Sequence, residues 1–332
     1  MRPRSEMTTP AIPEDDSPAD PTAAVADAPR GNWVDTWAPV SWRPYLRLAR
    51  ADRPIGTWLL LFPCWWSLSL ASVADGRPYA SPWSMLLFAI GAFVMRGAGC
   101  AYNDYVDRDY DARVARTRSR PIPSGQVTPN AALAFVAALG LVGLLVLLQF
   151  NQFTIWLAIG SLGIVLLYPF MKRFTNWPQL VLGLAFNWGA LVGWASVMRE
   201  LHLPAYLLYA GSVAWTIGYD TIYAHQDKED DLMLGLKSTA LRFGESTHAW
   251  VAAFYLVAML SWSLAAFLAG AHLITFVALA LVGLQLAWQV ATLDIDNAEN
   301  CLRRFRSNRD AGLVLTGGLV LDMAISWASG LS

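Results

Sequence analysis

The chain has 332 residues, 55% hydrophobic and 15% charged, with 16 Trp and a formal net charge of −1. A soluble domain carries about a quarter of its residues charged, whereas apolar runs long enough to cross a bilayer, about 20 residues each, recur along most of this chain. Composition therefore excludes a soluble globular protein. The near-zero total charge says nothing of partners, so the distribution of charge has to.

Residues 1–40 differ in kind from the rest. The stretch "TTPAIPEDDSPADPTAAVADAP" is rich in Pro, Ala and Asp, has no apolar periodicity, and reads as a disordered tail. No apolar core follows Arg2 and Arg4, so it does not read as a signal peptide. It is too acidic for a mitochondrial transit peptide. These features favour a bacterial inner membrane. Cys64, Cys100 and Cys301 are scattered, with neither a disulfide framework nor a zinc spacing.

Residues 41–332 read as one polytopic domain, all-α. The stretch "WVDTWAPVSWRPYLRLARADRP" mixes Trp with spaced Arg and reads as an amphipathic segment lying at the interface. Nine apolar runs follow, at 54–73, 83–101, 131–150, 153–170, 179–197, 204–223, 249–268, 271–291 and 311–328. The connections at 102–130, 171–178, 224–248 and 292–310 hold 14 Lys and Arg, while the alternate ones hold only Arg77 and Arg199. The positive-inside rule puts the rich set, with the N-terminus, in the cytoplasm. An odd number of spans then leaves the C-terminus outside. His202, His248 and His272 read as interface residues, and Asp322 receives no role.

Two acid clusters end long spans on that charged side. In "NDYVDRDYD", Asn103, Asp107 and Asp111 are spaced i, i+4, i+8, so a continuing helix aligns them in one stripe, with Asp104 and Asp109 pointing elsewhere. In "HQDKEDD", Asp227 and Asp231 repeat the i, i+4 spacing, with Asp230 beside them. The four-span offset between the clusters suggests a repeat of one four-helix unit. Carboxylates without a Cys or His ligand set suit a hard cation, and Mg²⁺ is usually held by a few carboxylates plus substrate phosphates. Arg116, Arg118 and Arg120 of "RTRSRPIPSG", Lys172 and Arg173 of "YPFMKR" and Lys237 of "LGLKST" accompany the acids. Acids for a metal beside bases for phosphate oxygens equip a diphosphate site. No Walker-type glycine loop is present. A lone juxtamembrane charge run is usually a solvated loop; two with the same spacing on one side are not. Arg96 and Asp220, within the span ends, read as structural partners for opposite charges, and His225 as a bystander.

These blocks resemble the UbiA-type membrane prenyltransferases. "NDYVDRDYD" matches their NDxxDxxxD motif and "DKEDD" their DxxxD motif. "RADRPIGTWLLLFPCWWSL", "RPIPSG", "YPFMKRFTNWPQLVLG" and "GLKSTALRFG" are similar, in order and spacing, to the 4-hydroxybenzoate polyprenyltransferase branch. The resemblance runs from about residue 45 to the C-terminus, with Glu229 a departure where relatives often carry Asp. It implies about nine transmembrane helices around a central cavity capped on the cytoplasmic side. Asn103, Asp107, Asp111, Asp227 and Asp231 would hold Mg²⁺ over the diphosphate of a polyprenyl donor. Arg53, Lys172 and Arg120 would contact that diphosphate, with Lys237 also on the substrate side and Tyr168 close by. Arg173 would pair with the carboxylate of 4-hydroxybenzoate, and Asp227 would take the ring proton. Neither a nucleic-acid nor a protein partner is expected. The rivals are another aromatic acceptor (haem, chlorophyllide, homogentisate or a naphthoate) and, in a different class, a cation-coupled secondary transporter.

Overall fold

The computed structural model describes residues 25–26 and 28–330, and every regular element among them is helical. Nine long helical spans run in chain order: Ile55–Ala74, Pro82–Asp111, Pro129–Leu147, Gln152–Phe174, Pro178–Met198, Leu203–Ala224, Thr247–Leu268, Leu273–Ala291 and Ala298–Ala328. We call them the first to ninth spans. Eight of these regions, among the described residues, are long and apolar enough to cross a membrane by length and composition. The sixth is long enough at 22 residues but more polar, carrying Tyr209, Ser212, Thr216, Tyr219, Asp220 and Thr221. Its environment explains this: it packs against the fifth, seventh and ninth spans, so most of its side chains face protein rather than lipid.

Local chemistry sets the span ends. Ser81, Thr128 and Asn297 accept backbone N–H bonds at the starts of the second, third and ninth spans, and Pro82, Pro129 and Pro178 occupy first-turn positions where no N–H is needed. The fourth span is interrupted at Ser161 and the fifth at Asn187–Trp188. The Asn187 side chain spans the second break by donating to the Gly183 carbonyl and to Thr216 in the sixth span.

The first span packs on the second, the ninth and the latter half of the fifth, while the third lies outside, against the second. Two polar networks fasten the bundle where hydrophobic burial gives little drive between helices in lipid. Trp215 Nε1 donates to Asn308 Oδ1 at 2.8 Å, and Tyr255 donates to Gln289 at 2.8 Å, joining the sixth to ninth spans. Asp322, to which the sequence alone assigns no role, accepts from the His272 and Ile274 backbone N–H groups and from Thr275. It thus caps the eighth span from the ninth.

The second span matters most for the site. Its 30 residues cover about 45 Å at 1.5 Å per residue, more than the roughly 30 Å hydrocarbon core, so its acidic last turns stand beyond the apolar layer. The preceding segment covers this end. Trp33–Thr36 and Arg43–Leu48 form short helices, Val34 is buried, and buried Arg47 donates to Asp35 at 2.8 Å. Within the stretch expected as tail, Val25 and Val34 are buried, the Ala26 N–H donates to Ser119 Oγ at 2.9 Å, and Asp35 pairs with Arg47. Residues 1–24, the bulk of the expected tail, lie outside the described residues.

Close helix approach yields a test. A Cβ on Gly193 would lie 2.5 Å from the Cys64 backbone carbonyl, which cannot rotate away, whereas nothing stands within 4 Å of one on Gly140. Gly193→Ala should destabilise the detergent-purified protein by about 1–3 kcal/mol, read as a lowered thermal midpoint, and Gly140→Ala should leave the midpoint unchanged or raised. Equal midpoints would contradict the packing of the first span on the fifth.

Candidate active site

At the charged end of the bundle a cavity of about 240 Å³ lies between the second, fourth and sixth spans. The second span contributes Asn103, Asp107, Tyr110 and Asp111, and the fourth Tyr168, Pro169 and Lys172. Arg116 and Arg120 come from the connection after the second span, and Asp227, Asp230 and Asp231 from the connection after the sixth. The expected stripe is therefore real: one helical face brings Asn103, Asp107 and Asp111 to one wall, and Asp227 and Asp231 form the opposite one.

Each wall is held by local structure. After Asp111 the chain turns at once. Thr117 donates to the Asp111 carbonyl at 2.9 Å, Ser124 donates to the Arg120 carbonyl at 2.7 Å, and Gly125 takes a φ of +77°. This folds "RTRSRPIPSG" back over the cavity. On the other side, His225–Asp227 forms a short 3-10 turn and Lys228–Met233 a single short helix. Lys228 pairs with Asp296, anchoring that helix to the connection before the ninth span. The Lys237 backbone N–H donates to the Lys172 carbonyl at 2.9 Å, docking the second connection on the fourth span.

The acids and bases interleave. Lys172 Nζ lies 2.6 Å from Asp107 Oδ2, and Arg120 Nη1 lies 2.8 Å from Asp111 Oδ2. Arg116 Nη2 reaches both oxygens of Asp227 at 2.7 Å. Five carboxylates (Asp107, Asp111, Asp227, Asp230 and Asp231) face the cavity against three bases (Arg116, Arg120 and Lys172), an excess of two negative charges. Burial is the leading influence on the charged groups outside the membrane-spanning helices. Burial, then the neighbouring Asp227 charge, pushes Asp231 up to about 6. Burial raises Asp227 as well, opposed by Arg116. His225, nearby in the same turn, is instead lowered to about 4, by burial and then by Lys228. Crowded carboxylates with raised pKa values mark a place where further positive charge is stabilising.

The donor set fits a hard divalent cation: carboxylate and amide oxygens, with no Cys or His on the cavity wall. Among the described residues no three His, Cys, Asp or Glu side chains converge closely enough to enclose a metal by themselves.

Other expected residues are placed differently. Arg173 does not line the cavity: its Nη2 lies 3.3 Å from Asp107 Oδ1 and 3.2 Å from the Val106 carbonyl, with the guanidinium over the Tyr110 and Phe170 rings. Arg53 bonds Asp52 at 3.1 Å, and Lys237 Nζ donates to the Phe174 carbonyl at 3.2 Å; neither lines the cavity. Arg96 sits over the Phe186 ring. Asp109 is exposed, as the stripe requires, but Asp104 is fully buried and bonded. Asp230 and Arg116 face the cavity although the spacing argument does not select them, and only the proximity of both to the acid clusters in sequence signals this.

The UbiA prenyltransferase family profile matches residues 60–311. The 4-hydroxybenzoate polyprenyltransferase, mitochondrial, of Drosophila pseudoobscura pseudoobscura is 50% identical over 280 residues, 84% of this chain and 70% of that one. The human protein of the same name is 48% identical over 286 residues, 86% of this chain and 76% of that one. Among solved structures, a UbiA homolog from Aeropyrum pernix K1 superposes with a TM-score of 0.68 at 25% identity, covering 80% of this chain and 98% of that one. The chain belongs to the UbiA prenyltransferase family.

Proposed function

We propose that this chain is a 4-hydroxybenzoate polyprenyltransferase. It transfers a polyprenyl group from polyprenyl diphosphate to ring carbon 3 of 4-hydroxybenzoate, ortho to the hydroxyl, and releases diphosphate, a step of ubiquinone synthesis. The observation that carries the reading is the cavity's excess of carboxylates over bases at a membrane face. A polyanionic diphosphate enters such a cavity only with cations, while its apolar tail needs the membrane alongside. The close relatives named for this activity favour this acceptor over haem, chlorophyllide, homogentisate or a naphthoate.

Asn103, Asp107, Asp111, Asp227 and Asp231 are the residues we assign to Mg²⁺. When bound, Mg²⁺ neutralises charge on the departing diphosphate. Arg120 and Lys172, already facing the cavity, turn their donors to the phosphate oxygens, where negative charge grows as the allylic C–O bond breaks and the diphosphate keeps the electron pair. Tyr168 stands in the wall beside Lys172. The allylic carbon, now cationic, bonds to the electron-rich ring carbon, and the proton lost from that carbon passes to Asp227, the base we name. Arg173, bonded to Asp107, serves to hold that carboxylate; pairing with the acceptor carboxylate would require it to leave Asp107 and two aromatic rings. Arg53 and Lys237 have no part in this scheme. The distribution of Lys and Arg assigns the charged connections and the N-terminus to the cytoplasmic side of the membrane; the relatives compared are named mitochondrial. The acids lie at one end of the bundle rather than amid broken helices at mid-membrane, which separates this reading from a cation-coupled carrier.

Purified protein given a polyprenyl diphosphate, 4-hydroxybenzoate and Mg²⁺ should release diphosphate and form a ring-prenylated product visible by mass. No release would overturn the enzyme reading. Asp107→Ala and Asp231→Ala should each lower turnover at least about 100-fold, the scale of losing a transition-state electrostatic contact, with the folded protein still in the membrane. Near-normal turnover in either would remove that residue from the metal set. Arg173→Gln should lower kcat and raise the Mg²⁺ requirement while leaving the acceptor KM unchanged. A rise in acceptor KM alone would return Arg173 to the acceptor carboxylate.

A further inference from the structure

Asp104 is adjacent to the metal stripe in sequence but faces the other way. It is completely buried, and both its oxygens accept from Arg50 Nη2, at 2.7 and 2.9 Å. Its Oδ1 also lies 3.3 Å from Arg120 Nη1, the same nitrogen that reaches Asp111 Oδ2 at 2.8 Å. One buried carboxylate therefore gathers three parts of the chain: the segment before the first span, the second span, and the connection that roofs the cavity.

Arg50 is itself held in place at some expense. It is one of two non-glycine residues with positive φ among the described residues, at 58°, and its Nη1 is buried without a hydrogen-bond partner. That left-handed turn closes the helix Arg43–Leu48: the Arg50 N–H donates to the Arg47 carbonyl at 3.0 Å and the Ala51 N–H to the Leu46 carbonyl at 2.9 Å, which fixes the backbone from which the Arg50 side chain meets Asp104. With Arg50 neutralising Asp104 from behind, the pair presents its remaining acceptor capacity to Arg120 without adding net charge to the roof.

We propose that Asp104 is a positioning residue for the diphosphate site. It holds the Arg120 guanidinium at the cavity wall, so that the donors of Arg120 are aimed inward before the diphosphate arrives and little side-chain freedom is lost on binding. Asp104 touches neither metal nor substrate and acts through Arg120. The inference rests on the diphosphate reading of the cavity.

The test is the affinity of the full-length purified protein for inorganic diphosphate in the presence of Mg²⁺, measured by calorimetry, alongside KM for both substrates. Wild-type protein that fails to bind diphosphate would overturn the diphosphate reading itself. With wild-type binding established, Asp104→Asn should weaken diphosphate affinity and raise the donor KM by about 10-fold, the scale of one charge-assisted hydrogen bond, and leave the acceptor KM unchanged. Arg120→Gln should lose at least as much, and the double variant should be no weaker than Arg120→Gln alone, because Asp104 has no route to the diphosphate except Arg120. Unchanged affinity in folded Asp104→Asn, or additive losses in the double variant, would overturn the positioning role while leaving the cavity's function intact. Should Asp104→Asn not accumulate, the charge-balanced Asp104→Asn/Arg50→Gln protein gives the same readout, since it strands no single buried charge. Failure of both to fold would make Asp104 a folding residue and overturn the proposal.

Discussion

Like charges held close at the edge of a low-dielectric region are the constraint on which this structure depends. Five carboxylates share one small cavity with three bases, and neither lipid nor bulk water screens them fully. The rest of the fold can be understood as the means of keeping them there. A second span long enough to outrun the hydrocarbon layer carries one set, the turn after a sheltered sixth span carries the other, and the bases come from the connection after the second span and from the end of the fourth. Such an arrangement is poorly suited to stability on its own terms, since every carboxylate would be better solvated outside. It is well suited to a ligand that brings both cations and anionic oxygens.

The bases fall into two groups with different work. Lys172, Arg116 and Arg120 face the cavity and contact its acids directly. Arg50, Arg173 and Lys228 stand behind, gripping Asp104, Asp107 and Asp296. The first group can exchange a carboxylate for a phosphate oxygen without moving far. The second fixes the walls from which the first group works, so that the geometry of the cavity is set before a ligand enters.

Much of this is legible in the sequence, for reasons that differ by residue. The spans are readable from apolar runs, and even the polar sixth span is found, because its length and the alternation of charged connections both require it. Asn103, Asp107 and Asp111 are readable as one face because helix periodicity is local and the second span does continue. The breaks at Ser161 and Asn187 are not readable although Gly160, Gly163 and Gly189 stand beside them, because glycine also occurs within unbroken spans, as at Gly140 and Gly143. Helix periodicity puts Asp104 off the stripe with Asp109, which is correct in direction. Its partners, however, lie 54 and 16 residues away, and only tertiary structure pairs them. Resemblance alone assigns Arg53 to the diphosphate, and nearness to the second acid cluster brings in Lys237; in the fold Arg53 bonds Asp52, Lys237 bonds the Phe174 carbonyl, and neither lines the cavity. The stretch from residue 33 is readable as an interface segment from its Trp residues and spaced Arg, but its burial of Val34 and the Arg47–Asp35 pair, 12 residues apart, are matters of tertiary structure.

The central claim is that the excess carboxylate charge makes diphosphate binding conditional on a divalent cation. Calorimetric titration of the purified wild-type protein with inorganic diphosphate, with Mg²⁺ and again after its removal by a chelator, tests this most directly. The account predicts binding with Mg²⁺ and none detectable without it. Equal affinity in both conditions would show that the bases alone hold the diphosphate, and would contradict the metal-holding role of Asp107, Asp111, Asp227 and Asp231.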